Sequence, residues 1–533
     1  MKIGRCRFEL GLLVVIAVVL LVASVGILAA SRSGAGSESQ SSPLATSSTT
    51  GSVVVGSASD EQAISSAFWG INIAAAQRFN AVDAASVAAT PVNYLLFPSG
   101  NLGEELNYTS GVLTKPNGAH SSVDTSAQDF VTSCKLIGCE AIMQLPAEID
   151  DPATAAYFAS YVVHTLKFQP AYWQIGNDPS GWTHFGVPWS EWKSGRGGNA
   201  TPLAFANLVH AYIAAVTAVD PSGQFLALGA GMGGPDYDKP WVEELAKVDG
   251  KELAGISIHS YVLGTSPSKP TDAELFANLN GPYSLPDQLT ADRSYIQAAC
   301  SACTQLKVFV TEINAAEDDS YSTLLSSFAG TLYLAAETIQ GLTLHATNLD
   351  WFAYDSDYPG AWSEHPLRWQ MQYYLFSDIM TQLKGDTLPT TVTGPATFFA
   401  IATCDSSGLA LLLVNVNTAA AVDISASQAG FVLDHPGVTE YSWSDGASRP
   451  SASSVSLSNT VKVPPESIVL LKVAPAGEKL PQPSATSGTP APLDIPEKIM
   501  PGVGADAIES SASSSDPVRS GSAAETVAVS RDS

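Results

Sequence analysis

Eight short runs, each almost continuously apolar and each followed by a stretch long enough for a helix, constrain this chain more than any other feature. They fall at Phe68–Ile73, Val92–Pro98, Glu140–Pro146, Ala171–Asn177, Gln224–Gly229, Leu253–Tyr261, Leu306–Asn314 and His345–Tyr354. A strand that is apolar on both sides must be covered on both sides, as the strands of parallel sheets are. Helical spacing occupies the gaps. Asp151-Pro152 opens a helix reaching Leu166, with proline suited to the first turn. Pro202–Asp220 sets Leu203, Phe205, Leu208, Val209, Tyr212, Ile213 and Val216 at helical intervals, and Leu324–Ile339 and Leu367–Met380 behave alike. The alternation predicts an α/β fold, a (β/α)8 TIM barrel over residues 65–383. An open doubly wound sheet is the competitor, but no Gly-rich phosphate turn follows the first run.

After Lys384 the texture changes. Phe398–Thr403, Leu409–Val416, Ala421–Ile424, Thr439–Ser444, Val461–Val463 and Ser467–Val473 are short β-rich runs between turn signals. They predict a small all-β sandwich over 384–473. Residues 51–64, with Val53–Val55, are expected to lend it a strand. Residues 31–50 are rich in Ser and Thr and read as a flexible linker. The Pro/Ser/Ala-rich stretch 474–533 has too little apolar surface to fold and reads as a disordered tail.

Lys2, Arg5 and Arg7 lie in a basic stub, 1–9, ahead of an uncharged apolar run over residues 10–30. That run is long enough to span a bilayer, and basic flanks stay cytoplasmic. An uncleaved transmembrane anchor is favoured over a cleaved signal, since no clear small-x-small site stands near Ala30. Either way the rest of the chain lies outside the cytoplasm. In such an oxidising space Cys134–Cys139 and Cys300–Cys303 can close local disulfides, with Cys6 and Cys404 outside that scheme. Zinc needs further ligands, and neither pair has a nearby His, so no metal is expected. Asn107 and Asn199 stand in Asn-x-Thr sequons. A formal net charge of −26 argues against nucleic acid as a partner.

Two of the eight runs end on acids. Trp173-Gln174-Ile175-Gly176-Asn177-Asp178-Pro179 ends in an amide–carboxylate pair, and Val308-Phe309-Val310-Thr311-Glu312 ends on a carboxylate. In a barrel, the C-terminal strand ends carry the chemistry. A pair of acids there is what glycosidic bond cleavage requires: one to protonate the leaving oxygen, one to act as nucleophile or base. The loop after Asp178 is aromatic, with Trp182, His184, Phe185, Trp189 and Trp192. Its rings suit the apolar faces of pyranoses, or a self-packed lid. Trp182 and His184 are the preferred substrate contacts. Tyr354, Trp362 and His365 follow the eighth run, and Glu148 and Glu317–Asp319 are further acids without a matching motif.

The Ile175-Gly176-Asn177-Asp178-Pro179 run, the Ile258-His259-Ser260-Tyr261 strand and Thr311-Glu312 resemble clan A retaining glycoside hydrolases. Within the clan the layout is most similar to family 79, the β-glucuronidase and heparanase group, with family 39 second. The resemblance covers residues 53 to 473. It implies Asp178 as acid/base, Glu312 as nucleophile and Asn177 as the hydrogen-bond partner of the 2-hydroxyl. It also implies His259 and Tyr261 as groups that orient the nucleophile, and Trp351 as the aromatic floor beneath the sugar. No metal or organic cofactor is needed, and the partner is an oligo- or polysaccharide with β-linkages.

One departure stands out, because the clan's acid/base is normally glutamate. Aspartate is a methylene shorter, drawing the carboxyl back by about 1–1.5 Å on a fixed backbone. Either the loop moves inward to compensate, or the enzyme is slow, or the barrel only binds sugar. The last outcome defines the rival reading, a surface-displayed carbohydrate-binding pseudo-hydrolase. A third reading, an anchored adhesion protein, leaves the paired acids unexplained.

Overall fold

The computed structural model describes residues 48–56, 61–114, 119–149, 151–187, 197–229, 234–263, 270–316, 322–354, 363–364, 368–428, 438–455 and 460–473. The expected anchor, most of the linker and the tail lie outside these residues, as do Trp189, Trp192, Glu317–Asp319, Trp362, His365 and Cys6. Among the described residues no helix is long and apolar enough to cross a membrane.

Eight parallel strands close into a barrel in sequence order. They are β1 (Trp69–Asn72), β2 (Tyr94–Phe97), β3 (Glu140–Leu145), β4 (Tyr172–Ile175), β5 (Phe225–Leu228), β6 (Leu253–Tyr261), β7 (Lys307–Asn314) and β8 (Leu349–Trp351). Alternation sends one set of side chains to the interior and the other to the helices. Tyr94, Leu96, Ile142, Leu226 and Phe309 meet in a small inner cluster. Polar residues fill the rest, and the Asn72 amide donates to the Thr311 carbonyl at 2.9 Å. The pairing of β6 with β7 slips between Ile258 and His259, and that of β7 with β8 slips between Val310 and Ile313. Such irregularities re-aim side chains at barrel rims. Here His259 and Glu312 become direct cross-strand partners.

The outer helices start and stop on local signals. Ala127–Ile137 begins with a Ser126/Asp129 capping box and ends at Gly138, whose φ of 71° suits glycine. Thr201 caps Pro202–Thr217. The helix expected to reach Leu166 ends as α-helix at Ser160 and finishes in a π turn, Tyr161–Thr165. Helix Phe328–Thr343 is buried at every position from Phe328 to Leu342. A helix covered all round needs a second layer, and the β domain supplies it: Trp443 packs on Phe328 at 5.4 Å between ring centres.

That domain consists of two sheets around a shared apolar core of Val53, Val55, Leu411, Leu413, Val422, Val469 and neighbours, with Cys404 buried among them. The smaller sheet runs Thr390–Thr393, Ser48–Val55, Ala421–Gln428, Thr460–Val463. The larger holds Gln62–Ala63, Asp386–Leu388, Phe398–Asp405, Gly408–Asn415, Ser467–Val473, Val438–Ser444 and Ser451–Val455. Residues 48–50, expected to close the linker, are therefore strand. Disulfides join Cys134 to Cys139 and Cys300 to Cys303, with Cα separations of 5.0 and 5.4 Å.

Several carboxyls are buried in this frame. Burial pushes Glu104 up to about 8, and Glu337 and Asp238 up to about 7. It raises Asp292 and Asp350 well above the carboxylate range. Asp220 and Glu274 shift the other way, held down by hydrogen bonds. Between the unfolded and folded values a raised carboxyl binds more protons when folded, so its contribution is complete below the unfolded pKa and fades as pH rises toward the folded one. With the raised groups predominant, the melting temperature is expected to be highest near pH 4–5 and to fall toward pH 8. Thermal scans across that range test this, and Glu337→Gln should flatten part of the slope. A melting temperature that climbs with pH contradicts it.

Candidate active site

β4 runs into Gly176, Asn177 and Asp178. Gly176 has φ of 76°, and an added Cβ there would come 3.0 Å from the Trp182 ring. Asp178 is also left-handed, at φ 45° and ψ 52°, a conformation that aspartate and asparagine tolerate better than other side chains. The turn is held from above, where Trp182 Nε1 donates to the Asn177 carbonyl at 2.6 Å.

Three strand ends converge on one imidazole. His259 Nδ1 lies 2.9 Å from Asp178 Oδ1 and 3.4 Å from Glu312 Oε2. Tyr261 donates its hydroxyl to Glu312 Oε2 at 2.8 Å. The Asn177 amide donates to Asp178 Oδ2 and to Asn101 Oδ1, each at 3.0 Å. Because both acid oxygens touch one nitrogen, their separation cannot exceed the sum of those two contacts. That bound, on the two facing oxygens, brings both carboxyls to one point of the barrel rim. The Glu312 side chain is 4% exposed and that of Asp178 15%, so the second acid keeps more access to solvent.

Two further acids border the group. The Asp238 carboxyl is raised by burial and by Asp178, against a lowering influence of His259. Asp350 is raised by burial and also by Glu312.

Three residues expected to touch the sugar are placed otherwise. Trp351 is 2% exposed, with its ring 5.5 Å from Phe376 on the helix side of β8. Strand parity explains the correction. Leu349 faces the helix Phe328–Thr343, beside Gly341, and Trp351 shares its side. Phe352, one residue on, clusters instead with Tyr261 and Ala353 and lies beside Gly100, which approaches Glu312. Trp182 is 4% exposed, stacked on Phe185 and edge-on to Phe205, so neither ring face is open. His184 turns toward Glu148, at 3.7 Å. Tyr354 donates to Asp83 at 3.0 Å, within the helical layer.

Asn101, Gly100 and Phe352 were not singled out from the sequence. The signal available was the turn Phe97-Pro98-Ser99-Gly100-Asn101 after the second apolar run, whose Gly100 has φ of 69°.

Glu148, without a motif of its own, is a clamp. Its Oε1 accepts the backbone N–H groups of Thr183 and His184 at 3.1 and 2.9 Å. Glu104 in turn holds the N–H groups of Ala147 and Glu148 at 2.6 and 2.9 Å. The loop carrying Trp182 thus hangs from the β3 loop. Glu148→Ala leaves two N–H groups without their acceptor and should destabilise the fold by about 2–3 kcal/mol, read by denaturant titration. A stability loss under about 0.5 kcal/mol would show that the clamp is dispensable.

No family model matches the chain, and no curated protein matches it. Solved structures do. A GH51 arabinofuranosidase from Xanthomonas axonopodis pv. citri superposes with a TM-score of 0.65 at 15% identity, covering 80% of this chain and 99% of its own. An α-L-arabinofuranosidase from Thermotoga maritima gives 0.62 at 14% identity, covering 80% and 100%. A family 44 xyloglucanase from Paenibacillus polymyxa gives 0.60 at 12% identity, again covering 80% and 100%. At these identities the likeness establishes the fold alone, a closed barrel with an appended β domain.

Proposed function

We propose that the protein is a glycosidase that works with retention of configuration. The observation that carries this reading is His259, whose one nitrogen meets both Asp178 and Glu312. Glu312, steadied by the Tyr261 hydroxyl, attacks the anomeric carbon while Asp178 protonates the leaving oxygen. A glycosyl–Glu312 ester results, and the aglycone departs carrying the proton. Asp178, now a carboxylate, removes a proton from water, which displaces Glu312 and frees the sugar. Asn177 and Asn101 present amides beside the acid, suited to sugar hydroxyls.

Around the pair Asn101, Asn177, Tyr261 and Phe352 are neutral and Asp238 and Asp350 are acids, which favours a neutral glycan over a uronic acid. Family 79 or 39 was expected, whereas the structures compared above include members of families 51 and 44. We therefore place arabinofuranosides and β-linked glucan or xylan ahead of glucuronides. The disulfides suit an extracytoplasmic location, and the apolar run over residues 10–30 suits an anchor there.

A panel of 4-nitrophenyl glycosides decides the matter: α-L-arabinofuranoside, β-D-glucoside, β-D-xyloside and β-D-glucuronide, with the product anomer followed by NMR. Turnover with retained configuration is expected on a neutral member. Inverted product would overturn the double displacement. Glycan binding without turnover on any member would favour the binding-only reading, for which the short arm of Asp178 is the supporting observation.

A further inference from the structure

The chain carries 51 acidic residues against 25 Lys and Arg, so a concavity lined by bases and no acid is unexpected. One such cavity, of about 420 Å³, opens at the barrel end opposite the paired acids. Lys307 at the start of β7, Thr347 ahead of β8 and Phe68 ahead of β1 line one wall, and Gln62 and Thr387 from the β domain line another. Arg293 and His345 complete the lining, with burial and the neighbouring Arg293 holding the imidazole toward its neutral form. Arg293 donates to the carbonyls of Leu344 and His345 at 2.9 and 3.1 Å. Those two bonds fix the guanidinium and leave donors over, since it has five. Among the described residues neither Arg293 nor Lys307 has a carboxylate partner.

We propose that this cavity is a binding site for a phosphate or sulfate group, free or esterified. Guanidinium and ammonium donors are the usual recognition elements for such oxyanions. The net negative charge of the protein repels every anion, and the more highly charged ones most, so any affinity must come from an anion engaging several of these donors at once. The cavity exceeds what a lone oxyanion needs, leaving room for a sugar or alcohol bearing it. The site is separate from the acid pair and does not depend on the glycosidase reading.

The test is isothermal titration of the full-length protein with inorganic phosphate and, separately, glucose 6-phosphate, against chloride at matched ionic strength. Saturable binding is expected, at least tenfold weaker in Lys307→Glu and kept in Lys307→Arg. Lys307 is preferred to Arg293 because Arg293 also secures two carbonyls. Tighter binding of glucose 6-phosphate identifies an esterified ligand, and equal or weaker binding identifies the free ion. Either supports the site. Heats no greater than with chloride, or binding unaffected by Lys307→Glu, overturn it. Aryl glycoside turnover of both variants should match the parent, which separates this outcome from any failure of the hydrolase reading.

Discussion

Glu312→Gln is expected to lower kcat on the best aryl glycoside by about 10⁴-fold or more, the scale of loss when a nucleophile is removed. Glutamine keeps the shape and still receives the Tyr261 hydroxyl on its amide oxygen, so the melting temperature should move little. The loss should be equally large for good and poor leaving groups, because without the carboxylate no glycosyl ester forms. Rapid-quench kinetics should show no burst of released aglycone. A variant keeping more than about a hundredth of parent activity would place the nucleophile elsewhere.

The second large effect concerns the acid. Asp178→Glu installs the side chain usual in the clan A hydrolases that the sequence resembles, yet it should slow the reaction. Asp178 already reaches His259 at 2.9 Å, and its left-handed backbone suits a short polar arm. An added methylene must fold back or push the imidazole away from Glu312. A misplacement of about 1 Å loses roughly a hundredfold, and the loss should fall on natural glycans and other poor leaving groups. With dinitrophenyl glycosides, which leave without protonation, kcat/KM should be nearly unaffected while kcat still falls, because Asp178 also activates the water that frees the sugar. A faster Asp178→Glu enzyme would mean that the aspartate is a handicap rather than an accommodation.

Why the barrel was readable and parts of its site were not follows from how each is encoded. Tyr94–Phe97 is buried at every position, and such two-sided burial writes an apolar run into the sequence. Strand-end acids could be located because a carboxylate closing such a run is conspicuous. The parity of β8 was harder to read: Trp351 and Phe352 are adjacent aromatics at the strand end, and either ring could have faced inward. Asn101 lies in a turn, where no period exists to place a side chain. Helix Pro235–Asp249 went unread because Pro240 and several acids interrupt its apolar stripe. The β domain's runs were visible, but period two cannot say which of two sheets a strand joins.

The position of Ser48–Val55 has a further consequence. It is an inner strand of the smaller sheet, bonded to Thr390–Thr393 on one side and Ala421–Gln428 on the other. As the chain emerges from the ribosome, this segment must wait for more than three hundred residues before either neighbour exists. Until then both its edges are open to any other extended chain. A fragment ending at Lys384 inherits that exposure permanently, so an isolated barrel will stay monomeric more readily if it also omits residues 48–56.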